Sequence, residues 1–303
     1  MITRDRQAFF AYARGCAADA GPATARSAFL VMPDGFARAE QSAQDNRYMA
    51  AAADFHPDLA LAQHRALQRA LSADLPVLAF PGDPAAPDAV FPNNVFATAP
   101  GRLIVGRMRH PVRQREAQRA DIRGFFAVTL GYAEVDLSQQ PHPCELTGAL
   151  VIDRARGLGF CGLSERCDEA GAALMHQAFG LRATLLFDLA PGEYHANVVL
   201  AVLASRAALV APAGFADPAL ALAIAAFYGQ GGLLLEPAAQ RAFCANAIAV
   251  HPRRVWMSER AAAALPFSVR VQLGEVGLEV ASVPLEALEA GGGSLRCCVA
   301  EVF

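Results

Sequence analysis

The chain has 303 residues, 54% of them hydrophobic and 18% charged, with a formal net charge of -3. That apolar share supports a large core and excludes a disordered chain, and the lack of a Lys/Arg cluster excludes the basic footprint of a nucleic-acid or anionic-membrane binder. A small-molecule ligand is the expectation that remains, on a single domain over residues 1–303 built from repeated units.

Residues 1–25 mix Arg4, Asp5, Arg6 and Arg14 with apolar residues and lack the continuous apolar segment of a secretory leader. They fall outside the repeated part and are expected as a peripheral helix. Residues 27–32 read as a strand, 58–75 as a helix with Leu67, Leu71 and Leu75 on one face, and 77–80 as a strand. Four blocks then repeat the order strand, strand, helix, strand. The first is expected at 94–98, 103–105, 113–126 and 128–130, and the second at 149–152, 159–163, 165–179 and 183–187. The third is expected at 198–203, 207–210, 218–228 and 232–235, with Asp217 and Pro218 as N-cap and first helical residue. The apolar run 197–216 carries Asn197, Ser205 and Arg206, so it reads as two strands and a turn rather than a membrane span. The fourth block is expected at 247–250, 255–257, 258–265 and 278–283. A fifth has only a strand at 296–303, and its missing part is supplied by 27–80, so the termini are expected to pair and close a ring. Seven cysteines, an odd number without disulfide spacing, point to a reducing compartment and a cytoplasmic location.

Each block opens on a short anchor: 92–96, 146–150, 195–199, 244–248 and 295–299. Taking Asn94, Gly148, Asn197, Asn246 and Cys297 as equivalent gives steps of 54, 49, 49 and 51 residues. A fixed period of this size marks units that bury their apolar faces on one another. Arranged around a ring, the anchors would bring Glu145, His195 and Cys297 into one axial pocket. A thiol is mostly protonated at neutral pH, so a nucleophilic cysteine needs a histidine-type neighbour. His195 could be that neighbour and Glu145 its orienting carboxylate. Cys297 and Cys298 follow Gly291, Gly292 and Gly293, a run able to bring backbone close to a ligand. The anchor register selects Cys297 for the pocket, and the strand register decides between the two.

Taken in order, the segments 88–97, 145–154, 163–166, 194–198 and 292–297 resemble the guanidine-modifying superfamily of arginine deiminases, dimethylarginine dimethylaminohydrolases and amidinotransferases. The closest resemblance is to the amidinotransferase-like branch that includes citrulline-utilisation hydrolases, and it runs from Phe29 to the C-terminus. It implies a five-bladed α/β propeller of ββαβ units, and chemistry at the central carbon of a guanidino or ureido group without metal or organic cofactor. By position, Cys297 would be the nucleophile, His195 the acid and then the base, and Glu145 the acidic partner. Asp88, Asn94, Asn197, Arg166 and Arg107 would contact substrate, with Arg109 and Arg296 as further candidates for its carboxylate. The expected partner is a small guanidino or ureido molecule, with no nucleic acid or membrane, and a homodimer is compatible with the sequence.

Three departures shape the expectation. Carboxylates usual in this superfamily are replaced by Asn94 and Asn197, and a carboxamide donates as well as accepts, which favours a neutral, citrulline-like substrate. The competing reading is that Asn94, Asn197 and Asn246 cap backbone groups. Leu146 stands where glycine is usual in this branch, and is expected to narrow the pocket. An amidinotransferase with an amine acceptor, and a non-catalytic binding protein on the same fold, are the alternative functions. A zinc site from His142, Cys144, Cys161 and Cys167 matches no standard spacing.

Overall fold

In the computed structural model, which describes residues 1–52 and 54–303, the apolar runs become short strands in five sheets among those residues. Each sheet is an antiparallel pair extended by a parallel strand. Phe96–Ala99 pairs with Arg102–Val105 and then Ala133–Asp136, and Leu150–Asp153 with Leu158–Leu163 and Ala183–Asp188. Leu200–Leu203, Ala207–Val210 and Gly232–Leu234 form the third sheet, and Ile248–His251, Arg254–Ser258 and Glu279–Val283 the fourth. In the fifth, Ala300–Val302 lies antiparallel to Ser27–Val31, which runs parallel to Val77–Phe80, so the two ends of the chain share a sheet as expected.

The third unit shows why these residues take this form. Ala204 and Ser205 both have positive φ, 47° and 54°, the backbone a tight two-residue hairpin requires to match strand twist. The parallel strand needs a crossover, and Pro218–Phe227 supplies it, with the Asp217 side chain accepting from the Ala219 N–H at 2.9 Å. Buried Leu200, Leu203, Leu209, Val210, Leu220 and Ile224 fuse sheet and helix into one core.

Some expectations are corrected. Residues 128–130 are not a strand: Phe126 is buried but Val128 is 87% exposed, so the segment has no face to bury and continues as a wide helical turn, Phe125–Thr129. The chain then turns at Gly131 (φ 68°) and the strand forms at Ala133–Asp136. The preceding helix is broken into Pro111–Gln114, Arg115–Gln118 and Ala120–Gly124. A second helix, Phe267–Glu275, follows Glu259–Ala264 in the fourth unit. At the N-terminus the expected helix is Arg6–Ala13, and Ile2–Thr3 adds an edge strand beside Ala183–Asp188.

The first strands of neighbouring units lie side by side: Leu150–Asp153 beside Leu200–Leu203, the latter beside Ile248–His251, and Ala300–Val302 beside Phe96–Ala99. Anchors precede these strands as tight turns at Pro92–Asn94, Leu146–Ala149, Ala196–Val198 and Leu295–Cys298, so they too come together. No helix among the described residues is long and apolar enough to cross a membrane.

Candidate active site

The anchors are tied by hydrogen bonds from each to the one before it. Thr147 Oγ1 donates to the Asn93 carbonyl at 3.0 Å, Asn197 Nδ2 to the Thr147 carbonyl at 3.2 Å and Asn246 Nδ2 to the Asn197 carbonyl at 2.9 Å. The Arg296 N–H then donates to the Asn246 carbonyl at 3.2 Å, and Pro92–Asn94 packs against Leu295–Cys298. Buried polar groups demand partners, so a donor recurs at each anchor because the preceding unit presents a bare carbonyl. Asn197 and Asn246 are therefore backbone caps across units. Asn94 differs, since its Oδ1 has no partner among the described residues.

His195 and Glu145 are fully buried and joined, Nε2 to Oε2, at 2.8 Å. Glu145 Oε1 accepts the Arg109 N–H at 3.0 Å, and Oε2 lies 3.3 Å from Arg166 Nη1. Burial alone would raise the Glu145 carboxyl, but Arg166, the His195 bond and Arg113 hold it well below the usual carboxylate range. Burial lowers His195, with Glu145 opposing. The pair at rest is thus an ionised carboxylate beside a neutral imidazole. His195 Nδ1 has no partner among the described residues. Beside it sits Gly148, where an added Cβ would stand 2.8 Å from Nδ1 and 2.5 Å from Asn94 Oδ1. Only glycine leaves room there for both the Asn94 amide and the imidazole.

Cys297 lines a narrow cleft with Asp88, Asn94, Arg113, Arg166 and Tyr194. Its Sγ is 3.3 Å from Asn246 Nδ2 and 3.7 Å from Asn197 Nδ2. Burial pushes the thiol up, and these amides offset it only in part. Cys298 does not face the cleft and packs in the core with Trp256 and Leu295. Asp88 accepts from Ser42 Oγ through one oxygen, and its Oδ1 has no partner among the described residues.

Several members of the cleft escape the repeat pattern because they come from outside it. The segment 42–49 crosses the cleft: Ser42 reaches Asp88, Asp45 pairs with Arg166 and with His110 at 3.0 Å, Asn46 donates to the Gly292 carbonyl, and Arg47 pairs with Glu193. Gly292 has φ 77°, and its carbonyl also accepts from Tyr194 Oη, so the glycine run does present backbone to the site. Arg113, fully desolvated and bonded to Glu116 at 2.8 Å, is a further missed residue. Nothing local singles it out, because the stretch around it also carries Arg115, Glu116, Arg119, Asp121 and Arg123.

Four residues expected at the pocket lie elsewhere. Arg107 does not reach the cleft; its guanidinium donates to the Ser138 carbonyl at 2.8 Å in a separate depression, because its own N–H is anchored by Cys144 on that side. Leu146 does not narrow the pocket. It has φ 21° and is buried among Ala97, Ile104 and Cys144 in the core, so the position favours glycine for its backbone and this chain fills the space behind it instead. Arg109 pairs with Glu165 at the surface, and Arg296 with Glu301 away from the cleft. Among the described residues no group of His, Cys, Asp or Glu is placed to hold a metal. Cys161 and Cys167 have their sulfurs 3.7 Å apart without forming one.

A family model described as N,N dimethylarginine dimethylhydrolase, eukaryotic, matches residues 32–303. An N(G),N(G)-dimethylarginine dimethylaminohydrolase of Mycobacterium tuberculosis is 28% identical over 216 residues, 71% of this chain and 66% of that protein, so the aligned part spans just under two thirds of that relative. Among solved structures, the N-terminal domain of ArgZ, an arginine dihydrolase of cyanobacteria, superposes with a TM-score of 0.79 at 19% identity, over 91% of this chain and 97% of that one. A dimethylarginine dimethylaminohydrolase variant carrying an S-methyl-L-thiocitrulline adduct superposes with a TM-score of 0.68 at 19% identity, over 91% of this chain and 99% of that one. These similarities establish the α/β fold.

Proposed function

The chain belongs to the family described as N,N dimethylarginine dimethylhydrolase, eukaryotic, and from that premise we propose that it is a cysteine-dependent hydrolase of the guanidino or ureido C–N bond of an arginine- or citrulline-like compound. The observation that carries this reading is one cleft lined by a buried thiol and by Asp88 with an unpartnered carboxylate oxygen, whose further lining residues Arg166 and Tyr194 touch the buried imidazole–carboxylate pair. The five sheets with their converging anchors are read as five blades of one α/β-propeller domain.

In the first step His195 takes the Cys297 thiol proton, Sγ attacks the planar carbon to form a C–S bond, and the C–N bond breaks as the imidazolium passes that proton to the departing nitrogen. A thiouronium-type adduct remains. Water then attacks the same carbon, His195 takes its proton, and the thiolate leaves. Glu145 stabilises the imidazolium formed in between, which its depressed pKa suits it to do. Asp88, held by Ser42, would pair with a donor of the substrate. Asn94, neutral and with a free Oδ1, would accept from a ureido or guanidino N–H without demanding a cation, which supports a preference for citrulline-like substrates. Asn197 acts beneath the sulfur.

Brief exposure to a haloacetamidine, followed by intact-protein mass spectrometry, tests the nucleophile. One adduct is expected in wild type and Cys298→Ser and none in Cys297→Ser, whose turnover should fall by at least about 1,000-fold. Equal labelling of all three proteins would defeat the proposal, and a clear steady-state preference for arginine over citrulline would defeat its substrate half.

A further inference from the structure

Arg166 sits in the cleft but is almost wholly engaged by the protein itself. Its Nε lies 3.0 Å from both oxygens of Asp45, Nη2 bonds Asp45 and the Ser42 carbonyl, and Nη1 lies 3.3 Å from Glu145 Oε2. Guanidinium has five N–H donors, so little remains for a substrate carboxylate. The side chain is 2% exposed, and its guanidinium lies 5.4 Å from the centroid of the Tyr194 ring. The contacts form an unbroken line, His195 to Glu145 to Arg166 to Asp45 to His110, with a carboxylate on either side of the guanidinium.

We propose that Asp45 is a positioning residue for the His195–Glu145 pair, acting through Arg166. This rests on the catalytic reading above. Glu145 must serve two cations, the Arg166 guanidinium permanently and the His195 imidazolium when it forms. Asp45 takes up the charge of Arg166 from the far side, which leaves Glu145 free to hold the imidazole and stabilise its protonated form. Without Asp45, Arg166 would draw on Glu145 alone and place an uncompensated positive charge beside His195. The titratable and charged groups around His195 are Glu145, Arg166, Arg113 and Tyr194, with Glu193 behind Tyr194 and Cys297 on the cleft that Tyr194 shares. Of these, only Glu145 and Arg166 are linked to Asp45 through direct bonds.

The test uses the full chain with 15N-labelled histidine, His195→Gln assigning the resonance. In Asp45→Asn the His195 titration midpoint should fall by at least about half a pH unit, a threefold loss of proton affinity. If His195 stays neutral down to pH 5 in both proteins, the share of the Nε2–H tautomer at pH 7 should fall instead. The kcat should drop about tenfold with KM moving less than threefold, and Asp45→Glu should recover part of the loss. Asp45→Ser repeats the measurement if Asp45→Asn proves unfolded by thermal shift. An unchanged imidazole signal in a folded variant overturns the inference, and so does a change confined to KM, which would mark Asp45 as part of the binding surface. Wild-type protein inactive on every guanidino and ureido compound would instead sink the catalytic reading, while the imidazole signal would still decide the role of Asp45.

Discussion

The anchors hold their polar groups by capping one another's backbone, amide to carbonyl, with every partner buried. The 42–49 segment holds the opposite wall of the same cleft by charge: Asp45 with Arg166, and Arg47, nearly half exposed, with the buried Glu193. Amide caps between packed units are insensitive to solvent, whereas ion pairs at a partly wet edge are screened and individually modest. The difference separates two jobs. The anchors hold the turns that carry the thiol and the imidazole, and the crossing segment lines the cleft over a thiol that is 1% exposed.

Gly148→Ala tests the first job most severely. The new Cβ would stand 2.5 Å from Asn94 Oδ1 and 2.7 Å from His195 Cε1, so one of them must move by an appreciable fraction of an ångström. Displacements of about 1 Å in a catalytic geometry cost about 100-fold. A loss of that order in kcat with a melting temperature close to wild type is expected from steady-state kinetics and calorimetry. Retained kcat would mean that the anchors do not set the catalytic geometry.

Asn46→Ala tests the second. Asn46 caps Arg47–Ala50 by accepting from the Tyr48 and Met49 N–H groups and donates to the Gly292 carbonyl. Losing a cap and a buried bond costs about 1–2 kcal/mol locally, so the population of an open segment should rise about tenfold. The alkylation rate of Cys297 by iodoacetamide at fixed pH should rise with it. A constant rate would show that the segment does not limit access.

These two regions were also unequally legible in the sequence. The anchors repeat at nearly even steps, and a repeat places residues in space without any knowledge of side-chain contacts, so Cys297, His195, Asn94 and Glu145 could be brought together in advance. Asp45, Asn46 and Arg47 lie between a strand and a helix in a stretch with no period and no motif, and their partners across the cleft are 65 to 246 residues away. Nothing local marks such pairings. Arg107 misled for a related reason: a strand end next to the site is close in sequence terms, but the direction of its side chain is set by Cys144 and Ser138, which only the packed structure brings beside it. The crossover of the first unit was misplaced because β-branched Val128 and Thr129 suggest a strand, while burial of Phe126 keeps the chain helical there.

Leu146→Gly separates backbone from packing within one anchor. The substitution relieves a leucine held at φ 21°, a gain of about 1 kcal/mol, but removes a fully buried side chain whose loss costs about 2–5 kcal/mol. Net destabilisation of about 1–4 kcal/mol is expected by denaturant unfolding, with KM unchanged because the side chain faces the core. A large change in KM would return Leu146 to the pocket wall.

The smallest effect sets anchor against crossing segment by sign. Burial raises the Cys297 thiol, and the Asn246 amide at 3.3 Å is the largest opposing contribution. A thiol raised in the folded state binds its proton more tightly than in the unfolded chain. Its contribution to stability is therefore complete below the unfolded value of about 8.5 and is lost as pH climbs towards the folded value. Alkylation of Cys297 should accordingly still be accelerating at about pH 9, where an ordinary thiol approaches its plateau. Asn246→Ala removes the donor and pushes the thiol higher, so alkylation at pH 8 should slow several-fold, whereas Asn46→Ala speeds it at the same pH. Opposite signs from two asparagines, one beneath the sulfur and one above the cleft, would distinguish control of thiolate formation from control of access. A shared sign would mean that both act by loosening the same wall.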